Sequence, residues 1–436
     1  MAAIRSLLRC NSARRENGRY SGPLAALVNA DMRIFFLLSF LSVAICQAQN
    51  QPGTPPPVTP RHIAAALRTT ASDAAREALH RQVLRLFGLK NLTQGRAGAK
   101  TEGTTVVWAA IDSRPARVVR QDGSLIGEMT PLGDDGLQVL AADMPNFTEL
   151  GYRIESEGMP RLAGTVHIEH YDYTADSLPQ KGVPHGKLER FEYTTSKIFP
   201  DTVRDVTVYL PPGFQPGEET CLMVWQDGTR HVDPKGSMRA SLVFDNLIHK
   251  KEMPRTVGVF IDPGRMAKQQ AGDKAANRSF EYDSLGDAYV RFLIQEILPE
   301  VEKRYQTKFR PQPEAWAIAG GSSGGICSFT AAWERPDKFH KVLCWVGTFV
   351  DIRGGHHYPY LVRVTERKPI RVYLLDGEND LDNKFGNWPL ANKMMAASLK
   401  YMNYDFRIDW TQCFHGSKGM APNLPDALRW LWRDVK

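Results

Sequence analysis

Apolar and polar positions follow two different patterns along this chain, and the pattern changes near residue 175. Residues 61–90 repeat apolar side chains at helical spacing and stop near Gly88, which predicts a helical segment over residues 61–100. Short β-rich runs follow, separated by Gly, Asp and Pro turns; they include TTVVWAAI, ARVVR, LQVLAA and YRIESEG. Short strands between such turns are typical of an antiparallel sandwich. A small β-sandwich module is therefore predicted over residues 101–175.

Strand-like and helical patterns alternate from residue 176 to residue 436. The strand-like runs are apolar throughout, and most end in turn residues: DVTVYLPPG, TCLMVWQDG, TVGVFIDPG, EAWAIAGG, KVLCWVGT, IRVYLLDG and FRIDWTQ. Strands of this kind, joined by helices, indicate a mostly parallel sheet that is covered on both faces. The fold class predicted for residues 176–436 is therefore α/β.

The chain opens with a segment that fits neither pattern. Residues 34–45 are an apolar run of 12 residues, preceded by an arginine and followed by Cys-Gln-Ala. A membrane-spanning helix needs about 20 apolar residues, so this run predicts a signal peptide over residues 32–48 rather than a stable membrane anchor. The mature protein is expected to be secreted or periplasmic. Its precursor starts at either Met1 or Met32.

The net charge of +7 is distributed unevenly. The leader, residues 1–48, contains six arginines and two acidic residues and so carries +4, which leaves +3 for the rest of the chain. So small an excess predicts no nucleic-acid partner. Residues 49–60 (QNQPGTPPPVTP) are a Pro-rich linker. A hydrophobic content of 42% with 24% charged residues is that of a globular protein.

Four cysteines lie beyond the leader, at positions 221, 327, 344 and 413. None belongs to a C-x-x-C pair, and the sequence contains no Walker, Rossmann or H-E-x-x-H string. Buried free thiols are expected at these positions. No metal and no other cofactor is predicted.

The most informative string is AIAGGSSGGICSF, which matches G-x-S-x-G with Ser323 at its centre, between Gly321 and Gly325. In this motif a strand reverses sharply into a helix, so small residues must flank an exposed serine. The helix N-terminus also presents amide hydrogens to a developing negative charge. An apolar strand precedes the string and a helical pattern follows it, which favours this interpretation over a simple Gly/Ser loop. Ser323 is the predicted nucleophile.

A serine nucleophile needs a base, and the base needs an acid that orients it. The strand IRVYLLDG is followed by three carboxylates, Glu378, Asp380 and Asp382, and Asp380 is the predicted acid with the other two as rivals. The only histidine downstream is His415, in CFHGSKG. His415 is therefore the predicted base, and a structural loop histidine is the alternative.

The oxyanion hole is expected to use the N–H of Gly324 together with an amide after the strand in VWQDG. Gln226 and Asp227 are equal candidates for that second donor. A further polar group, His167, Glu169 and His170, lies on an apparent strand and is interpreted as surface residues.

Several strings in one order resemble the enterochelin esterase-like esterases, relatives of the feruloyl and acetyl-xylan esterases. They include VPHGKLERFEY, SKIFPDTVRDVTVYLPPGF, AGGSSGG and LLDGENDLDNKFGNWPLANKMM, within about residues 182–436. The resemblance implies an α/β-hydrolase fold without a metal, and it carries the roles of nucleophile, base and acid to Ser323, His415 and Asp380. The family usually has a hydrophobic residue before the serine, whereas Ser322 here provides an alternative hydroxyl one position away.

Residues 101–175 resemble, more loosely, the immunoglobulin-like, glycogen-binding-type module that often precedes such esterases. Together these features predict an exported serine carboxylic-ester hydrolase that acts on a small-molecule or polysaccharide ester, with acetyl or feruloyl esters of polysaccharides first. A catecholate-siderophore esterase is the alternative within the same class. An inactive, hydrolase-like protein that binds carbohydrate is the alternative from another class. The sequence leaves the oligomeric state open.

Overall fold

The computed structural model describes residues 57–95, 98–267 and 277–435, and Val58–Lys436 form one compact unit. The predicted leader, residues 1–48, lies outside the described residues, as does most of the linker. None of the described helices is both long enough and apolar enough to span a membrane.

Three helices, rather than one helical segment, precede the first strand. They are α1 (Pro60–Thr69), α2 (Asp73–Phe87) and α3 (Leu89–Thr93). The hydroxyl groups of Thr59 and Ser72 cap α1 and α2 by accepting backbone N–H groups of the first turn. Gly88, with φ of 80°, ends α2 in a backbone conformation that favours glycine.

Eight strands then form two four-stranded antiparallel sheets. The first sheet has the order β1-β2-β6-β5 and the second the order β4-β3-β7-β8. The strands are β1 (Ala99–Glu102), β2 (Thr105–Ile111), β3 (Ala116–Arg120), β4 (Leu125–Glu128), β5 (Thr130–Pro131), β6 (Leu137–Asp143), β7 (Thr148–Ser156) and β8 (Met159–Ile168). We call residues 99–168 the β-module.

The N-terminal helices and the β-module share an apolar core, because β2 is buried on both faces. Val106 and Trp108 lie in a cluster between the two sheets, whereas Val107 lies in a second cluster with Leu79 and Val83 of α2. Alternate residues of a strand point to opposite faces, so the helices cover the outer face of the first sheet. The helical segment therefore packs as a third layer on the β-module.

A separate, ten-stranded sheet organises residues 187–414. Its order is β13-β10-β12-β11-β15-β16-β17-β20, with β9 beside β10 and β14 beside β11. From β12 to β20 all pairings are parallel, and β9, β10 and β13 add antiparallel strands at one edge. The strands are β9 (Lys187–Tyr193), β10 (Thr202–Leu210), β11 (Glu219–Gln226), β12 (Thr256–Ile261), β13 (Arg265–Met266), β14 (Lys308–Phe309), β15 (Trp316–Gly321), β16 (Lys341–Trp345), β17 (Arg371–Asn379) and β20 (Asp405–Phe414).

Helices connect these strands, as expected of an α/β domain. They are α4 (Gly228–Val232), α5 (Ala240–His249), α6 (Arg278–Asp283), α7 (Ala288–Phe292), α8 (Leu298–Tyr305), α9 (Ser323–Glu334), α10 (Tyr358–Val364), α11 (Trp388–Tyr401) and α12 (Met420–Trp432). A small hairpin of β18 (Asp382–Asn383) and β19 (Gly386–Asn387) precedes α11. The mixed α/β class predicted from the sequence is confirmed, and the four cysteines beyond the leader are buried and unpaired, as predicted.

A buried ion pair attaches α6 to the large sheet. The guanidinium of Arg204, on β10, donates two hydrogen bonds of 2.7 and 3.0 Å to the carboxylate of Glu281, on α6. Both side chains are fully buried. The Arg204 guanidinium also lies 4.2 Å from the ring centroid of Phe292, on α7. This pair fixes the position of α6, which carries residues that reach the site described below.

Replacement of Glu281 by glutamine is expected to destabilise the fold by about 3–5 kcal/mol, because it leaves the buried Arg204 charge without its partner. The measurement is urea unfolding of the wild type and of Glu281→Gln. The matched control is Asp287→Asn, which breaks an exposed pair with Arg291 worth about 0.3–0.5 kcal/mol. Equal losses in the two variants would contradict this account of the pair.

Candidate active site

The backbone reverses sharply between β15 and α9, at Ser322. Its φ of 58° and ψ of −124° are conformations that residues other than glycine rarely adopt. The strand enters the turn at Gly321 and the helix begins at Ser323. A serine held at such a turn projects its hydroxyl away from the sheet, as a nucleophile elbow does.

Glycines make this turn possible, because neighbouring groups occupy the space that a Cβ atom would need. A Cβ at Gly320 would lie 2.2 Å from the carbonyl oxygen of Gly324, on α9. A Cβ at Gly321 would lie 2.2 Å from the indole nitrogen of Trp345, on β16. Strand, helix and neighbouring strand therefore approach each other more closely than any larger residue would allow.

The Ser322 hydroxyl begins a continuous chain of hydrogen bonds. Ser322 Oγ lies 2.8 Å from Nε2 of His415, and Nδ1 of the same imidazole lies 2.5 Å from Oδ1 of Asp380. With its Nδ1 proton donated to the carboxylate, the imidazole accepts the Ser322 proton at Nε2. Serine, histidine and aspartate thus have the order that nucleophilic catalysis requires.

The expectation that Ser323 contacts the histidine is wrong. The Ser323 side chain is buried at the start of α9 and forms a hydrogen bond with Asp283, on α6. The string GGSSGG matches G-x-S-x-G in two registers, and the one that fits the structure runs from Gly320 through Ser322 to Gly324. The hydroxyl of Ser322, the alternative that the sequence offered, is therefore the one at the elbow.

The structure brings Asp380 and His415 together, as predicted, and separates Asp380 from its rivals. The Asp380 side chain is completely buried. Glu378 is exposed, pairs with Lys393 and accepts a hydrogen bond from the indole of Trp410. Asp382 is exposed in β18. Of these three carboxylates, only Asp380 contacts the imidazole.

A cavity of about 480 Å³ opens over Ser322 and His415. Asp227, Arg230 and Arg278 form part of its wall. Arg278, on α6, donates hydrogen bonds of 2.8 and 2.7 Å to Asp227. Burial by itself would raise the pKa of Asp227, but these hydrogen bonds and the Arg278 charge hold that pKa below its usual value. Arg230 lies at the rim with a largely exposed side chain, so the wall offers positive charge to a ligand.

The predicted oxyanion donors lie close to the elbow but are not equivalent. Gly324 is the second residue after Ser322, so the first amide after the hydroxyl at the elbow is that of Ser323. Gln226 is fully buried, and its side-chain oxygen accepts the hydroxyl of Tyr289. Asp227 lines the cavity, and its N–H donates a long hydrogen bond of 3.3 Å to the Tyr282 hydroxyl.

A second histidine holds the loop that carries His415. Nδ1 of His231 donates to the carbonyl oxygen of Gln226 at 3.2 Å, and Nε2 accepts from the Ser417 hydroxyl at 3.2 Å. Burial, together with the charge of Arg230, lowers the pKa of His231 to about 4. His231 is therefore neutral at pH 7 and can accept the Ser417 proton.

His167, in the β-module, and Glu169, directly after it, contact Phe414, the residue before His415. Oε1 of Glu169 accepts the N–H of Phe414 at 3.2 Å, and the His167 ring stacks on the Phe414 ring at a centroid distance of 4.4 Å. Glu169 is 9% exposed, and burial raises the pKa of its carboxyl. The interpretation of Glu169 as a surface residue is therefore wrong, because the catalytic domain covers this side chain.

Sequence reasoning missed three side chains that surround the site. Thr348 Oγ1 lies 3.3 Å from Ser322 Oγ, the Trp388 ring meets the His415 ring edge-on at 5.7 Å, and Arg278 holds Asp227. The sequence offers Trp388 only as one of several aromatic side chains that could line a cleft, and core packing explains most of them. The sequence contains no local signal for the other two, since each follows a different strand of the sheet.

The described residues contain no group of three or more His, Cys, Asp and Glu side chains that could hold a metal ion. The groups that the structure brings together at the site are a hydroxyl, an imidazole, a carboxylate and nearby amides. These groups are the ones that acyl transfer requires.

Comparisons with known proteins agree with this chemistry. Residues 198–349 match a family model described as "Putative esterase". The structure is similar to enterochelin esterase from Shigella flexneri, with 16% identity, coverage of 81% of this chain and 99% of that chain, and a TM-score of 0.54. Ferric enterobactin esterase from Salmonella typhimurium is 15% identical over 76% of this chain and 94% of that chain, with a TM-score of 0.51.

A ferulic acid esterase from Anaeromyces mucronatus is 18% identical over 58% of this chain and 93% of that chain, with a TM-score of 0.46. The search of curated proteins finds no match to this chain. At these identities the two bacterial structures with TM-scores above 0.5 show a shared fold, and the esterase description comes from the family model. The resemblance predicted from the sequence is confirmed: residues 198–349 match the esterase family model, and this match supports a carboxylic ester hydrolase.

Proposed function

We propose that the protein is an exported serine esterase in which Ser322, His415 and Asp380 form the catalytic triad. The observation that supports this most directly is the unbroken hydrogen-bonded chain of 2.8 and 2.5 Å from the Ser322 hydroxyl through the imidazole to a buried carboxylate. The hydroxyl stands at a strained elbow and faces a cavity. Export is proposed from the signal-peptide pattern of residues 32–48.

The reaction follows from these contacts. His415 removes the Ser322 proton as Oγ attacks the ester carbonyl carbon, and Asp380 stabilises the imidazolium that forms. The imidazolium then gives its proton to the leaving alcohol, which leaves an acyl group on Ser322. Water repeats the sequence with His415 as base, and this releases the acid and restores the hydroxyl.

We assign the oxyanion hole to the N–H groups of Ser323 and Asp227. The Ser323 amide is at the first position of α9, where a helix leaves its N–H groups without an intrahelical partner. The Asp227 amide lies in the wall of the same cavity and makes only a long hydrogen bond to Tyr282. A developing oxyanion would compete with the Tyr282 hydroxyl for that amide.

For the substrate we propose acyl esters of polysaccharides, acetyl or feruloyl. This proposal is supported by the predicted export and by the two-sheet β-module, which we interpret as an immunoglobulin-like carbohydrate-binding module. One observation favours a second candidate, a catecholate-siderophore ester. The rim carries the exposed Arg230 and the partly exposed Arg278, and positive side chains suit an anionic substrate. The solved structures named above as enterochelin or enterobactin esterases also have this fold.

A hydrolysis panel on the purified protein separates these candidates. The substrates are acetylated xylan, a feruloylated oligosaccharide and a catecholate trilactone, with a matched amide as a control for peptidase activity. A polysaccharide esterase prefers one of the first two by at least about tenfold in kcat/KM. Preference for the trilactone selects the siderophore candidate, and no labelling of the protein by a serine-directed phosphonate would favour the inactive carbohydrate-binding alternative.

Ser322→Ala is expected to lower kcat by at least about a thousandfold, because it removes the nucleophile while binding is kept. The matched control is Ser323→Ala, one position away, which should retain kcat within about tenfold because its hydroxyl faces Asp283. Steady-state kinetics with a small aryl ester provide the measurement. The opposite result, an active Ser322→Ala with an inactive Ser323→Ala, would return the nucleophile to Ser323.

Asp380→Asn is expected to lower kcat by about ten-thousandfold, because an amide can hold the wrong imidazole tautomer and cannot stabilise the imidazolium. Asp382→Asn removes an exposed carboxylate two residues away and should change kcat by less than about threefold. Both variants are compared by circular dichroism and by kinetics at pH 7.5. Similar rates for the two would show that Asp380 is not the acid.

The contact between Glu169 and the histidine loop predicts a third effect. Glu169→Ala leaves the buried Phe414 N–H without an acceptor, and a displaced His415 should lower kcat by about tenfold. Glu169→Gln keeps an acceptor oxygen and should restore most of the rate. The control is Glu149→Ala, which removes an exposed carboxylate that pairs with His167. If Glu149→Ala lowered kcat as much as Glu169→Ala, Glu169 would have no specific role.

A further inference from the structure

A second carboxyl group is buried behind the proposed catalytic acid. Asp376 lies on β17 opposite Trp410 of β20, and none of its side chain is exposed. The chain turns directly after it, with the N–H of Asp380 3.4 Å from the carbonyl oxygen of Gly377. This turn brings the carboxyl group of Asp380 within hydrogen-bonding reach of the carboxyl group of Asp376.

The hydrogen bonds of the two carboxyl groups leave one oxygen on each without a donor. Asp376 Oδ1 accepts the N–H of Gly377 at 2.8 Å. Asp380 Oδ1 accepts from His415 Nδ1 at 2.5 Å and from the N–H of Leu381 at 2.6 Å. The remaining atoms, Oδ2 of Asp376 and Oδ2 of Asp380, are both buried and have no hydrogen-bond donor.

No neighbouring amide supplies the missing donor. Asn392, on α11, approaches Asp376, but its Nδ2 already donates to the carbonyl oxygens of Gly347 and Trp388, at 2.9 and 3.1 Å. Two carboxylates in contact and out of water repel each other, and their interaction favours a single proton shared between them. One proton placed between the two Oδ2 atoms satisfies both.

The imidazole decides which carboxyl group holds that proton. Oδ1 of Asp380 must keep its negative charge to accept Nδ1–H and to stabilise the imidazolium of His415. Asp376 touches no such cation. The proton therefore belongs on Asp376 and the charge on Asp380.

We propose that Asp376 is a positioning residue: as a neutral carboxylic acid, it donates a hydrogen bond to Oδ2 of Asp380 and so holds Oδ1 against His415. This inference rests on the proposed triad. The Asp376 proton does not take part in the reaction. Its effect is to fix the rotation of the Asp380 carboxylate, since Oδ1 and Oδ2 are then both engaged.

The groups packed around Asp376 disfavour the ionised form of its carboxyl group. Asp380 is negative, whereas Cys344 on β16 and Cys413 on β20 are neutral thiols whose pKa values burial raises, that of Cys413 to about 12. Asn392 is uncharged, and His415 lies on the far side of Asp380. Burial first, and then the hydrogen bond and charge of Asp380, raise the pKa of Asp376 to about 9.

The raised pKa gives the proposal a pH signature. Below about pH 9 Asp376 is protonated in the folded protein, whereas in the unfolded chain it ionises near pH 4. The folded state binds the extra proton between these values, so the contribution of this group to stability falls as the pH rises from about 4 to about 9. Above about pH 9 a second negative charge beside Asp380 disrupts the pair, and kcat falls.

The test compares Asp376→Asn and Asp376→Ala with the wild type and with Asp382→Asn, an exposed acid of the same loop. Kcat and KM are measured from pH 6 to pH 10, and folding is checked by circular dichroism. An asparagine can accept from Gly377 and donate to Asp380 but cannot ionise. Asp376→Asn should therefore keep kcat within about threefold at pH 7 and lose the alkaline decrease near pH 9. Asp376→Ala should lower kcat about thirtyfold with KM unchanged within about twofold.

Two results overturn the inference. The first is a wild-type kcat in Asp376→Ala. The second is a decrease of kcat near pH 9 in Asp376→Asn equal to that of the wild type. The second result tests the inference even if the alanine variant does not fold. Failure of the triad itself is distinguished by Ser322→Ala. An active Ser322→Ala would refute the proposed function, whereas an inactive Ser322→Ala with a fully active Asp376→Ala would refute only the role of Asp376.

Discussion

The reversal of the backbone at Ser322 constrains the rest of the site. A serine with a φ of 58° exists there only because the surrounding packing holds it, and that packing depends on the missing side chains of Gly320 and Gly321. Once the hydroxyl is fixed at the end of β15, its base must come from a strand end that lies at the same edge of the parallel sheet. His415 follows β20 and Asp380 follows β17, so the sheet order places both within reach.

Two buried or partly buried arginines in this domain form ion pairs with carboxylates. Arg204 with Glu281 attaches α6 to the sheet, and Arg278 of the same helix holds Asp227 at the wall of the cavity. A third member of α6, Asp283, forms a hydrogen bond with Ser323. One short helix thus connects the structural ion pair to the cavity and to the start of α9. Loss of the ion pair would therefore disturb the site as well as the stability of the fold.

The loop that carries His415 is held from two sides by groups that belong to different parts of the chain. His231 reaches Ser417 from the end of β11, and Glu169 with His167 reaches Phe414 from the end of the β-module. The β-module therefore contacts the α/β domain one residue from His415, the proposed base. Through such a contact the module can affect the position of His415 without binding any ligand.

Local sequence patterns were sufficient to predict much of the secondary structure and the fold class of this protein. Apolar runs and turn residues predicted the parallel strands, the helices between them and the β-module, because burial and backbone preference are recorded residue by residue. The order of serine, acid and histidine, together with the family resemblance, selected Asp380 and His415. Among the three carboxylates, the resemblance places the acid three residues past Gly377, at Asp380, since side-chain alternation cannot separate residues two apart.

Only the tertiary structure decided between Ser322 and Ser323. The string GGSSGG matches the motif in two registers, and the hydrogen bond that distinguishes them joins residues 93 positions apart. The same reason explains Glu169, which bonds to a residue 245 positions away, and Asp376, whose second oxygen is buried without a hydrogen-bond donor inside the folded domain. A sequence records the preferences of each segment, whereas the partner of a buried polar atom depends on which strand ends the fold brings to the same edge of the sheet.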